Sequence, residues 1–235
     1  MEKILNFLKS KYFLLFALAI LNLLVAFYFL KLSPWSSDSE TYLNAMKYLQ
    51  GAELGDVPYN RLLTTPFMLY SSILASWFTG SFYGGILAVN LIFYFLIIYV
   101  FYKLVLEIYQ NQTTAVLSSI LLLSNYSMYN YGVTYNADLG GWFFFVLGSF
   151  FAVKYFEKTR ATVLAALLPA SLAFLAWPAL TQRIAFIIVP WLALISGFGL
   201  SKIKNNYIIG TILIAYALIN YSITTFLIKI INLPF

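Results

Sequence analysis

The sequence predicts an all-α protein: a polytopic membrane helix bundle with about seven transmembrane helices and two interfacial helices in the first outer loop. Three observations carry this prediction. First, 62% of the 235 residues are apolar and 9% are charged, with mean hydropathy +0.85. A soluble domain is about 45–50% apolar and about 25% charged. Second, apolar runs recur along the chain, most of them near the roughly 20 residues that a helix needs to cross a bilayer. Third, the basic residues gather on alternate connections between those runs. A water-soluble monomer of this size could not hide so much apolar surface, and disorder needs the opposite composition.

The first run is 12–32. Lys3, Lys9 and Lys11 precede it and no small-residue cleavage site follows, so it reads as an uncleaved signal anchor. The next loop, 33–82, holds the first interfacial helix at about 39–51. Its Tyr42, Ala45, Met46 and Leu49 recur at helical spacing, and Gly51 ends the run. The apolar stretch 66–78 differs from the others. Its length corresponds to about 20 Å of helix, short of the roughly 30 Å hydrocarbon core. Pro66 behind Thr64 and Thr65 suits a first helical position. This stretch is therefore expected to lie in, or dip into, the outer interface. The remaining spans are expected at 83–102, 115–131, 139–155, 161–177, 184–200 and 207–228.

Charge supports leaving 66–78 out of the spans. Lys3, Lys9, Lys11, Lys103, Lys154, Lys158, Arg160, Lys202 and Lys204 then lie inside, and only Lys31, Lys47, Arg61, Arg183 and Lys229 lie outside. This gives a multi-pass protein of the cytoplasmic membrane, N-terminus inside and C-terminus outside. No repeat, low-complexity tract or linker divides the chain, so 1–235 reads as a single membrane domain. The net charge of +6 forms no basic stripe, so nucleic acid is not an expected partner.

The chain has no histidine and no cysteine, which removes the commonest general base, the commonest metal ligand and any thiolate chemistry. Carboxylates remain, and the topology turns Asp38, Glu40, Glu53, Asp56 and Asp138 outward. Glu53 and Asp56 read as a solvated turn. Asp38-Ser-Glu40 has two readings. Ser37-Asp-Ser-Glu40 is a capping box for the helix that follows. It is also an acidic pair at the outer face, able to activate an acceptor hydroxyl or hold a divalent cation. Asp138 follows a stretch rich in tyrosine and asparagine that includes Tyr135 and Asn136. That stretch reads either as an interfacial aromatic belt with a helix cap, or as a wall for a sugar. Arg183, at the outer end of a span, either snorkels or binds phosphate, and Arg61 offers the same chemistry. Asn90, Asn125 and Asn220 are polar positions in or near spans. No carboxylate sits mid-span, which argues against a transporter or channel.

Together these features resemble the C-type glycosyltransferases (GT-C), and most closely their protein mannosyltransferase and aminoarabinose transferase branch. The matching residues are Asp38-Ser-Glu40-x-Tyr42-x-x-Ala45-x-x-Tyr48-Leu49-x-Gly51, then Tyr59-Asn-Arg61-Leu-Leu-Thr-Thr-Pro66. Asn136-Ala-Asp138-Leu-Gly-Gly-Trp and Thr181-Gln-Arg183-Ile-Ala-Phe-Ile-Ile-Val-Pro190 complete the set. The chain corresponds to about the conserved seven-span module of longer enzymes, with Thr65-Pro66 where the mannosyltransferases carry lysine-proline.

The resemblance implies transfer of a sugar from a polyprenyl-phosphate donor to a lipid, glycan or protein acceptor at the outer face. Asp38 would be the general base and Glu40 its helper, the two together holding Mn or Mg if a divalent cation is used. Asp138, Arg183, Arg61, Tyr42, Tyr135 and Asn136 would bind substrate. The alternative is a non-catalytic protein that binds or flips lipid-linked sugars, or a subunit of a larger membrane transferase.

Overall fold

Apolar runs with few internal breakers fold as helices because the backbone then satisfies its own hydrogen bonds. The computed structural model describes residues 11–29, 38–52, 66–125, 128, 134–136, 138–155 and 182–231, with backbone alone at 11, 29, 155, 182–189, 191, 192 and 221–231. Among the described residues the regular structure is helical and no strand occurs. In order, the helices are α1 (Lys11–Leu24), prolonged by a π-helical turn (Val25–Phe29), α2 (Ser39–Leu49), α3 (Pro66–Thr79) and α4 (Phe82–Tyr109). Then follow α5 (Gln112–Leu123), α6 (Asp138–Tyr155), α7 (Gln182–Ser201) and α8 (Asn206–Ile231). The expected span 161–177, with Pro169, lies outside the described residues. Pro190 sits inside α7 without ending it.

The 28-residue α4 is the axis of the bundle. Among the described residues it alone is long and apolar enough to cross a membrane by length and composition. Side-chain contacts fix the direction of its neighbours. α1 runs antiparallel to it: Tyr12 meets Tyr102 at 5.3 Å, Phe16 meets Phe95 at 4.9 Å, and Asn22 donates to the Tyr94 hydroxyl at 2.7 Å. A tight turn reverses the chain into α5, with Gln110 in the left-handed region at φ 51° and the Asn111 side chain accepting from Thr114 N–H at 3.0 Å. α6 is parallel to α4, since Asn90 reaches Asn136 and Phe93 meets Phe143 at 5.2 Å. α7 is parallel to α4 as well: Phe198 stacks on Tyr109 at 4.6 Å, and Gly197 lies so close to Ser118 that a Cβ there would collide with its backbone. α8 returns past the end of α5, where Asn125 donates to the Tyr216 hydroxyl at 3.1 Å.

The result is an up-and-down bundle, with α4, α6 and α7 pointing one way and α1, α5 and α8 the other. Lys103, Lys154 and Lys202 share one end, each lying over an aromatic ring of its own or a neighbouring helix. Asp38 and Asp138 belong to elements at the opposite end.

One expectation changes. α5 stops at Leu123, with Ser124 as its C-cap, rather than running to 131. α3 is placed by its contacts: it lies lengthwise against α4 as one arm of a helical hairpin. Gly80, at φ 75°, makes the turn, and Ser81 caps α4 by accepting from Gly84 N–H at 3.0 Å. At Gly85 a Cβ would collide with the Ser72 carbonyl oxygen, so glycine is what allows the two backbones to touch. At the far end of α3, Phe67 meets Phe93 at 6.2 Å and Phe144 at 5.3 Å. Phe67 therefore lies about 16 Å along α4 from its first residue, taking 1.5 Å per residue.

Candidate functional site

The acidic end of the bundle is built on α2 and on the loop that enters α6. α2 is helical because apolar residues recur on one face and no breaker occurs before Gly51. That face (Tyr42, Leu43, Ala45 and Met46) is buried. Packing against α3 therefore anchors α2, and Glu40, which is exposed, stays out of the contact.

Asp38 is the N-cap residue of α2, but its side chain makes no capping hydrogen bond. Its backbone is already helical, with φ −92° and ψ −9°, and its carbonyl accepts from Tyr42 N–H at 3.2 Å. Ser37, the capping residue of the expected box, lies outside the described residues; Asp38 starts the helix without its side chain serving as the cap. The same geometry bears on the cation. In a helix, residues two apart point to different sides of the axis, so Asp38 and Glu40 do not converge on one ion. No group of three or more metal-ligating carboxylates occurs among the described residues. The pair does not fit a shared Mn or Mg.

Asp138 is the first residue of α6, where a carboxylate suits the positive end of the helix dipole. The loop before it is held from an unexpected direction. Asn90 of α4 is fully buried and donates through Nδ2 to the carbonyls of Thr134 and Asn136, at 2.7 and 2.8 Å. Its Oδ1 and the Thr134 hydroxyl are buried without a hydrogen-bond partner among the described residues. Further along α6, Gly140 lets α3 close in, because a Cβ there would strike the Met68 side chain. Asn90 and Gly140 thus fix the height of Asp138 relative to α3 and α4.

The two acidic segments meet. Tyr42, one turn after Asp38, and Asn136, two residues before Asp138, line the same small cavity with Met68, Leu69, Ser72 and Ile86. Segments almost 100 residues apart in sequence therefore share one wall, with α3 and α4 as the floor. The cavity holds about 10 Å³, and Tyr42 and Asn136 are 2% and 3% exposed. A sugar ring does not enter it. Tyr42 and Asn136 pack between the segments that carry Asp38 and Asp138 and the α3–α4 floor. Tyr135 is half-buried and leans on Tyr83 with ring centroids 5.3 Å apart, which joins the loop to the start of α4.

Arg183 is the second residue of α7, and its side chain lies outside the described residues, as Arg61 does entirely. Sequence reasoning missed Asn90 as a structural pin. The available signal was an amide inside an apolar run, which in such surroundings must find partners on another segment. Compared with protein-family models, curated proteins and solved structures, the chain matches none.

Proposed function

We propose that the chain is a multi-pass membrane glycosyltransferase of the C type, acting on a polyprenyl-phosphate-linked sugar at the outer face. The observation that carries the reading is the shared wall of Tyr42 and Asn136, which couples the Asp38 segment to the Asp138 segment. Support for the membrane part comes from the bundle surface. Trp77, Phe78 and Tyr207 are 71%, 91% and 87% exposed, and Ile208, Ile212, Ile214, Leu218 and Ile219 are exposed along α8. Lipid tolerates such a surface and water does not. Lys103, Lys154 and Lys202 at one end match the cytoplasmic side.

In this reading Asp38 takes the proton of the acceptor hydroxyl as that oxygen attacks the anomeric carbon. The anomeric carbon–oxygen bond to phosphate breaks, with inversion, and the polyprenyl phosphate leaves as the anion. Asp138 orients a substrate hydroxyl. Arg183 and Arg61 offset the charge that develops on the phosphate. Glu40, exposed on α2, meets the acceptor. The half-length hairpin α3–α4 is the rigid floor on which the two acidic segments are held.

The test uses purified protein in nanodiscs with polyprenyl-phosphate sugars, following donor consumption in wild type and Asp38→Asn. Turnover in wild type with loss of about 100-fold or more in Asp38→Asn is the expected result for a general base. Equal consumption by both proteins sinks the general-base role. Donor binding without turnover in wild type favours the alternative, a lipid-linked-sugar binding or flipping protein or a transferase subunit.

A further inference from the structure

A second cavity lies in the half of the bundle away from Asp38 and Asp138. About 450 Å³ in volume, it opens between α1 and α4 in the lysine-bearing half of the bundle. That is within the range of about 300–1,000 Å³ typical of ligand pockets. Leu15 and Ala19 of α1 and Phe95 and Ile98 of α4 make its walls. At its end stand Tyr12 and Tyr99, with ring centroids 5.9 Å apart, and the Lys103 ammonium lies 5.3 Å from one ring and 5.7 Å from the other. The ammonium is turned toward Tyr12, whose hydroxyl accepts from it, and among the described residues no ion pair joins it to Glu107, the one carboxylate of α4. Among the described residues the shape is therefore an apolar trough between two helices, with a cation beside the tyrosines at one end.

We infer that this trough is a binding site for one anionic diacyl lipid of the inner leaflet, its acyl chain lying along α1 and α4 and its phosphate at Lys103. Polarity order selects this occupant. A soluble anion would not use the apolar walls, and a neutral lipid would place no anion against the Lys103 ammonium at the two rings. Basic positions between helices on the cytoplasmic side pair with lipid phosphates, and tyrosines favour the headgroup level. The site rests on the membrane-spanning part of the proposed function and not on the transfer chemistry.

The experiment embeds the full chain in phosphatidylcholine nanodiscs carrying either phosphatidylglycerol or phosphatidylcholine with a photoactivatable group near the chain end. Adducts are then mapped by peptide mass spectrometry. The expected result is about fivefold more adduct from the glycerol lipid than from the choline lipid on 12–19 and 95–102, the preference one lysine gives near a membrane surface. Lys103→Gln should lower the glycerol-lipid adduct to the choline-lipid level, and Lys103→Arg should keep it. Equal adduct from both lipids in wild type overturns the inference without any variant. So does the absence of adduct in the trough, which would mean that protein covers it. Failure of the chain to float with vesicles would overturn both the site and the membrane reading, whereas flotation with equal adduct overturns the site alone.

Discussion

Asn90 offers the most direct test of how the candidate site is held. Replacing it with leucine keeps the approximate volume and removes the two hydrogen bonds that fix the Thr134–Asn136 backbone, at 2.7 and 2.8 Å. Side-chain hydrogen bonds inside membrane bundles average about 0.6 kcal/mol and reach about 1.7 kcal/mol. Both acceptor residues are buried, so neither carbonyl regains water readily. Two such bonds give a loss of about 1–3 kcal/mol, a shift of roughly 5- to 150-fold in the folding equilibrium. The Asn90 Oδ1 has no partner among the described residues, so removing that atom costs nothing in return and slightly lowers the total. The assay is reversible denaturation in mixed micelles, with Ser149→Ala as control. The Ser149 hydroxyl bonds only to the Phe145 carbonyl of its own helix among the described residues, at 2.8 Å, and its loss should change stability by under about 0.5 kcal/mol. If Asn90→Leu also stays within about 0.5 kcal/mol of wild type, the loop is not pinned as described and the argument fails.

Other substitutions probe the remaining contacts. Gly85→Ala places a Cβ against the Ser72 carbonyl oxygen and should destabilise the α3–α4 hairpin by about 1–3 kcal/mol in the same assay, whereas Gly148→Ala enters open space and should be neutral or slightly stabilising. Gly140→Ala meets the flexible end of Met68, so a smaller loss is expected, and the double change with Met68→Ala should show less than the sum of the two single losses. Because the chain has no cysteine, single cysteines report sidedness: Ala52→Cys should react with an impermeant maleimide from outside and Lys204→Cys only after permeabilisation. The reverse pattern would overturn the orientation. In a transfer assay, Tyr42→Phe should retain most activity while Tyr42→Ala loses it with stability, since Tyr42 supports the site by packing. Loss of activity in Tyr42→Phe at wild-type stability would instead put its hydroxyl on substrate.

The sequence by itself determined the helical class and most helix positions. α4 begins within a residue of the run expected from 83 and continues past its expected end at 102, α6 begins at Asp138 and ends at Tyr155, and α8 contains the whole of 207–228. Composition decides this, because an unbroken apolar run has no other way to satisfy its backbone in an apolar setting. The sequence also marked out the acidic residues, since histidine and cysteine are absent. It could not say which faces meet. α4 is apolar on every side, so no stripe distinguishes its packed face from its outer one.

Tertiary structure made that choice through a few small features. Gly85 and Gly197 permit close backbone approach, and Asn22 and Asn90 find hydrogen-bond partners on other segments. The same features set 66–79 against α4 as a hairpin arm and buried Tyr42 and Asn136 against a common floor. Such contacts join residues far apart in the chain, and their strength depends on distances of a few ångströms that no local pattern encodes.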